Sequence, residues 1–342
     1  VSKLMVVVGG QYGSEAKGAV TARLALGCDE PLVVRVGGPN AGHTVVDSAT
    51  TEWKLRHVPV GFVNPRATLA LAPGSEVNAE VLFEEINALE EAGYAVGWRM
   101  HVDPTATLLE AQHIKDEAAS TLNDRLGSTA KGVGAARADR IWRTAELAGA
   151  LHNPAHVPDL IEDWNTAGRD VIIEGTQGFG LGMHAGLYPY CTSGDCRAVD
   201  FMAQAGVSPW RWRPEEVEIW IVFRTRPIRV AGNSGPLHAE TNWSTLGLPE
   251  EYTTVTKRVR RVGEWDPDLA YRAMCANGAP SPQIRIAITM LDQLFPEVKG
   301  ATQWSLLSER ARRWIADKSF ELGQPISLIG TSPYTQVVGE SA

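Results

Sequence analysis

The sequence predicts an α/β fold, a mostly parallel central sheet flanked by helices. Three observations predict it. Short apolar, β-branched runs recur along the chain, and each leads at once into a glycine-rich or polar motif. Amphipathic stretches with helical spacing lie between these runs. The first run, residues 4–8, passes through Gly9, Gly10 and Gly13 into a helical stretch that starts at Ala16, a strand–loop–helix unit.

In that first unit Val20 and Leu24 lie one turn apart on one helix face. The glycines permit unusual backbone angles or close approach to a ligand. Backbone N–H groups and a helix N-terminus suit an anion, and Lys17 adds a point charge. The match to the standard phosphate loop, G-x-x-x-x-G-K-[ST], is incomplete. Ala16 stands where that loop has Gly, and Gly18 where it has Ser or Thr, so the usual hydroxyl ligand of Mg2+ is missing. A plain strand–turn–helix corner has the same outline.

The later runs repeat the pattern. Residues 31–36 lead into Gly37-Gly-Pro-Asn-Ala-Gly-His-Thr44, and residues 170–173 into Glu174-Gly-Thr-Gln-Gly178. Residues 217–223 lead into Arg224-Thr-Arg226, 284–289 into Met290-Leu-Asp292, and 326–329 into Gly330-Thr-Ser-Pro333. In an open α/β sheet ligands sit beyond the carboxyl ends of strands, so six such motifs are expected to converge on one crevice. Helices are expected over 76–93, where Val77, Val81, Leu82, Ile86 and Leu89 form an apolar face, and over 111–126 and 306–322. Pro154, Pro158, Pro209, Pro214, Pro280 and Pro282 mark loops. No composition shift places a boundary, so one domain with insertions is expected over 1–342.

Composition narrows the function classes. At 44% hydrophobic and 21% charged residues, the 342-residue chain is an ordinary globular protein. A net charge of −8 argues against bulk binding to nucleic acid or to an anionic membrane. No apolar run reaches a membrane span, and no cleavable signal pattern precedes the first strand. Cys28, Cys191, Cys196 and Cys275 lack C-x-x-C spacing, so they read as reduced thiols of a cytoplasmic protein. Trp142, Trp164, Trp210, Trp212, Trp220 and Trp304 are expected as core or interface anchors.

Several side chains can carry chemistry. His43 follows a strand in a glycine- and asparagine-rich loop, where a histidine can donate a proton to an oxygen gaining charge; a hydrogen-bonded surface histidine is the plainer reading. Gly127-Ser-Thr-Ala-Lys-Gly-Val-Gly134 can grip a phosphate through backbone N–H groups, Ser128 and Thr129, or be a flexible connection. Residues 253–263 place four basic residues in five positions, and Arg258 and Arg260 would point the same way in an extended loop, as forks for carboxylates. Asp292, two residues past a strand, can accept from a purine's ring N–H and amino group or cap a helix.

Together these motifs resemble the adenylosuccinate synthetase family, which couples nucleoside triphosphate hydrolysis to joining L-aspartate onto C6 of a purine monophosphate. The family loop Q-W-G-D-E-G-K-G is similar to Gln11-Tyr-Gly-Ser-Glu-Ala-Lys-Gly18, and G-G-x-N-A-G-H-T matches residues 37–44. G-T-T-G-R-G-I-G resembles 127–134, E-G-A-Q-G resembles 174–178, and Y-P-Y-V-T-S-S resembles Tyr188-Pro-Tyr-Cys-Thr-Ser193. The aspartate loop T-T-G-R-R-R-R-T-G aligns with 255–263, and T-K-L-D resembles Thr289-Met-Leu-Asp292. The motifs come in family order over nearly the whole chain, and imply the family's phosphate-loop-related fold.

Two departures stand out. Ser14 replaces the aspartate that in the family removes the purine N1 proton and helps hold Mg2+, and Met290 replaces the lysine of the guanine-reading motif. The chain is also shorter than typical members. This combination is similar to the phage branch of the family, which takes dGMP instead of IMP, tends to use ATP or dATP, and leads to 2-aminoadenine DNA. The resemblance implies catalytic roles for Ser14, Lys17 and His43. It implies a nucleotide site of Gly13, Glu15, Ala16, Lys17, Gly18, Asn40, Gly42, His43, Thr44, Asp292, Gly330, Ser332 and Pro333. It implies dGMP contacts from Ser14, Asn40, Ser128, Thr129, Arg143, Gln177, Thr192 and Arg258, and aspartate contacts from Val255, Thr256, Arg258 and Arg260. Mg2+ is expected near Ser14 and Gly42. A homodimer is implied, with Arg143 or Arg140 reaching into the partner's site. An ordinary IMP-dependent synthetase and a non-catalytic nucleotide-binding protein are the competing readings.

Overall fold

The computed structural model describes residues 2–253, 257–333 and 335–339. Its centre is a nine-stranded sheet. In chain order the strands are β1 (Leu4–Gly9), β2 (Leu32–Val36), β3 (Thr68–Leu71), β4 (Met100–Val102), β5 (Val171–Gly175), β6 (Val217–Arg224), β7 (Ile284–Thr289), β8 (Ile326–Ser332) and β9 (Thr335–Val338). Their order across the sheet is β9-β8-β7-β6-β1-β5-β2-β3-β4. Every pair is parallel except β8–β9. The chain runs to one side of β1 through β2–β4 and to the other through β6–β8. The carboxyl end of β1 therefore lies where the two halves diverge, the usual place for a ligand crevice.

The strands read as continuous apolar runs because both sheet faces are covered. On β1, Leu4, Val6 and Val8 pack into one core with Phe201, Trp212, Phe223 and Met274. The alternate residues Met5 and Val7 pack into the other core with Val20, Phe62, Leu82 and Ile172.

All six expected runs form strands of this sheet. The expected helix over 76–93 is Ala79–Glu91, capped by the Asn78 side chain accepting from Val81 N–H; Glu76–Val77 form a short strand instead. The single helix expected over 111–126 is broken into Ala111–Ala119 and Leu122–Leu126. Ser120 is the cause: its hydroxyl donates to the Glu117 carbonyl and accepts from Leu122 N–H, holding an extended backbone at the break. The helix expected from 306 starts at Glu309, where Ser308 caps it. Pro158 lies inside the first turn of helix Val157–Thr166, where its missing N–H costs no hydrogen bond. Trp212 and Trp220 are core residues, but Trp142 and Trp210 are 75% and 91% exposed, so neither anchors the core. Among the described residues no helix is long and apolar enough to cross a membrane.

Loop and sheet meet tightly after β1. Gly10 donates its N–H to the Val222 carbonyl at 2.8 Å, and a Cβ at Gly10 would lie 2.2 Å from the buried Phe223 ring. Gly10→Ala should therefore lower the unfolding free energy by roughly 1–3 kcal/mol through overpacking. The check is the urea midpoint, and an unchanged midpoint would show that Phe223 steps aside.

Candidate active site

A cavity of about 420 Å³ opens beyond the carboxyl ends of β1, β2 and β5. The loops after these three strands supply Gly13, Ser14, Asn40, Gly42, His43 and Gln177 to its wall. Ser128 and Thr129 come from the glycine-rich loop before helix Val133–Trp142, Thr192 from the 188–193 segment, and Arg258 and Arg260 from the basic loop. Arg258 and Arg260 face the cavity from alternate positions, as an extended segment dictates.

Convergence is narrower than expected, because only three of the six strand-end motifs line this cavity. Asp292, past the end of β7, and Gly330, Ser332 and Pro333, in and just past the last part of β8, are not part of its wall. These strand ends abut the back of the first loop: Thr289 Oγ1 donates to the Glu15 carbonyl at 2.9 Å. Burial pushes the Asp292 carboxyl above the usual aspartate range. Arg224, at the end of β6, is buried and binds Glu251 with two nitrogens, at 3.1 and 2.6 Å. Arg143 closes helix Val133–Trp142 in a left-handed conformation and is exposed, as is Arg140; neither lines the cavity. Thr44 is exposed on the hairpin His43–Val46/Glu52–Leu55. Val255 and Thr256 lie outside the described residues.

The first loop is closed on itself. Glu15 Oε1 accepts from Gln11 N–H at 3.1 Å and from Gly13 N–H at 2.6 Å, and Glu15 Oε2 pairs with Lys17 Nζ at 2.9 Å. Lys17 also donates to the Gly13 carbonyl at 3.1 Å, and only 2% of it is exposed. The N–H groups and the lysine expected to face a ligand anion thus already hold one, the Glu15 carboxylate. Ala16 takes φ +61 where a glycine would be unstrained, and Gly18 is buried against the Thr44 backbone. The second loop repeats the arrangement. Gly132 N–H donates to Glu117 Oε2, and Ser128 Oγ lies 3.5 Å from Glu117 Oε1.

His43 opens the hairpin and is buried. Its Nδ1 bonds Glu174 Oε1, which also takes the Arg35 guanidinium. Burial, then Arg35, lowers the His43 pKa to about 4 against the opposing pull of Glu174, so the ring is neutral at pH 7. Burial would raise the Glu174 carboxyl, but His43 and Arg35 outweigh it and hold it below the usual glutamate range. His43 Nε2 is buried without a hydrogen-bond partner.

Ser14 Oγ accepts from Arg260 Nη1, tying the basic loop to the first loop. A magnesium ion takes one or two protein oxygens beside substrate phosphates and water. The Gly42 carbonyl at the cavity wall fits that demand. The Ser14 hydroxyl does not, since a guanidinium already sits on it. Among the described residues no group of three or more His, Cys, Asp or Glu side chains could hold a metal.

Sequence reading missed Arg35 and Glu174 as site residues. A signal existed: Arg35 is a charge inside an apolar strand, and a buried charge needs a partner. It also missed Arg229, whose guanidinium lies 4.3 Å over the Tyr12 ring at the cavity wall.

Lys17→Met would strand the Glu15 carboxylate, and the ligand-free protein should lose roughly 3–5 kcal/mol. Adding Glu15→Gln should restore much of that stability. Denaturant unfolding without nucleotide reads both, and equal losses in the single and double variants would refute the pairing.

A family model described as adenylosuccinate synthetase matches residues 6–165 and 153–326. The adenylosuccinate synthetase of Pyrococcus horikoshii is 36% identical over 339 residues, 96% of each chain. That of Methanococcus maripaludis is 38% identical over 338 residues, again 96% of each. Among solved structures, cyanophage S-2L succinoaminodeoxyadenylate synthetase, bound to dGMP and to dATP as an energy donor, aligns with a TM-score of 0.81 at 28% identity, covering 97% of this chain and 93% of that one. A fully ligated Plasmodium falciparum adenylosuccinate synthetase aligns with a TM-score of 0.86 over 99% and 100% of the two chains; at 20% identity this is a likeness of fold.

Proposed function

The chain belongs to the adenylosuccinate synthetase family, which are carbon–nitrogen ligases, and from that membership we propose that it joins L-aspartate to C6 of dGMP with ATP or dATP as phosphate donor. Ser14 carries the choice of dGMP. It stands on the cavity wall at the position of the family's aspartate. A serine without an activating partner is a poor base near neutral pH, and its hydroxyl is held by Arg260 instead. A short neutral side chain also leaves room for a 2-amino group. The cyanophage relative bound to dGMP and dATP supports this branch, and Met290 removes the lysine that would argue for GTP. A second reading, IMP with GTP, is favoured by the names of the relatives at 36–38% identity.

In the proposed reaction the purine O6 attacks the γ-phosphate, and the aspartate amine then displaces phosphate from C6. Gly13, Ala16, Lys17 and Gly18 take the phosphate tail once Glu15 releases the N–H groups it holds. The Gly42 carbonyl would hold Mg2+, which neutralises phosphate charge when bound. Ser128, Thr129 and Thr192 hold the 5′-phosphate, Asn40 and Gln177 face the purine, and His43 meets its 6-oxo edge. Arg258 and Arg260 present forks to the aspartate carboxylates, and Val255 and Thr256 are proposed as further aspartate contacts. Asp292, Gly330, Ser332 and Pro333 serve the donor nucleotide's base, and Arg143 reaches a partner in a homodimer.

Phosphate release with dGMP, GMP or IMP against ATP, dATP or GTP, each with L-aspartate, tests the assignment. Turnover confined to dGMP with ATP or dATP is expected. Turnover on IMP with GTP would establish the second reading, and silence in every combination would leave a nucleotide-binding protein without this chemistry. His43→Ala should lower kcat by about 10²–10⁴-fold with dGMP affinity by calorimetry little changed. Strong residual turnover would remove His43 from the reaction.

A further inference from the structure

The His43 ring is held from one side only. Nδ1 meets Glu174 Oε1, while Nε2 is buried, unpartnered and part of a residue lining the cavity. Glu174 is itself fully anchored. Oε1 takes Arg35 Nη1, and Oε2 accepts Val60 N–H at 2.9 Å. Arg35 is anchored in turn, donating to the Ala41 carbonyl at 2.6 Å and the Arg56 carbonyl at 3.1 Å. The pairing is set by the sheet, because the parallel register of β2 and β5 puts Arg35 directly beside Glu174.

We propose that Glu174, backed by Arg35, is a positioning residue that fixes the tautomer of His43, with the proton on Nδ1 and Nε2 left unprotonated. An ionised carboxylate only accepts hydrogen bonds. With Arg35 against it, Glu174 has no proton to give, so Nδ1 must be the donor. The neutral ring has one N–H, and Nε2 is left as an acceptor. Any ligand atom that reaches Nε2 is then an N–H or O–H donor. The N1–H of a 6-oxopurine, adjacent to O6, has that chemistry. This last step, and the kinetic consequence below, rest on the purine ligase reading; the tautomer does not.

The arrangement refines the role expected for His43 as a proton donor. The resting ring has nothing to donate at Nε2, and enters the encounter as an acceptor held at a set angle. Glu174→Gln keeps the shape of the site but removes the charge and replaces one acceptor oxygen with NH2, which must face a donor at either end, so the hold that keeps the proton on Nδ1 weakens. A comparable carboxylate-to-amide change behind a catalytic histidine costs about 10⁴-fold in turnover by that route.

The test uses the full chain with 15N-labelled histidine and no substrate, with His43→Ala to identify the His43 signals. The wild-type ring should show a protonated Nδ1 and an unprotonated Nε2, and Glu174→Gln should shift the population toward protonated Nε2. A wild-type ring protonated at Nε2 overturns the proposal even if no variant folds. On whichever purine monophosphate turns over, Glu174→Gln should lower kcat by about 10²–10⁴-fold while KM changes little. A change confined to KM would assign Glu174 to binding and overturn the positioning role. If no monophosphate turns over, the ligase reading fails while the ring spectra still decide the tautomer.

Discussion

One buried carboxylate holds the floor of the site together. Glu174 and Arg35 are both 0% exposed, and an ion at that depth is tolerated only when its oxygens are fully occupied. Here Arg35, His43 and the Val60 N–H occupy them. The three partners come from β2, the hairpin and the short turn Val60–Val63. The cost of burying Glu174 is thus offset only if all three segments stand where they do, which makes the cavity wall a consequence of the sheet register.

A glutamate occupies each of the two loops that look built for anions, Glu15 from within the first and Glu117 from the neighbouring helix Ala111–Ala119. Glu15 closes the first by accepting the N–H groups of Gln11 and Gly13, and Glu117 the second by accepting that of Gly132. Such a concave run of N–H groups attracts the nearest negative charge, and in this chain the nearest charge is covalently attached. A phosphate entering either loop would therefore exchange with a carboxylate and would not fill bare N–H groups. The carboxylates keep these N–H groups hydrogen-bonded, and such an exchange would open a route for ligand binding to reorganise both loops.

The family resemblance and the departures from it act at different depths. The shared motifs build the frame: strand ends, buried ion pairs and loop-closing carboxylates. Ser14 sits on the cavity surface, where a change of side chain alters what a ligand meets without disturbing the core. Its bond to Arg260 ties the first loop to the basic loop.

Strands β1, β2, β5, β6, β7 and β8 were legible because each is an apolar run buried on both faces, and such runs need no partner to be recognised. Strands β3, β4 and β9 and those of the hairpin from His43 are only three or four residues long, and only their neighbours make them strands. The Ser120 break was hidden because helical spacing continues across it and one hydroxyl decides otherwise. By itself the sequence determined the alternation of elements, the loop chemistry and the identity of residue 14, all local properties of adjacent residues. The tertiary structure alone decided that Glu174 meets Arg35 and His43, and that the ends of β7 and β8 stand outside the cavity. These follow from strand order and register, which bring together residues more than a hundred positions apart and are written in no single stretch of chain.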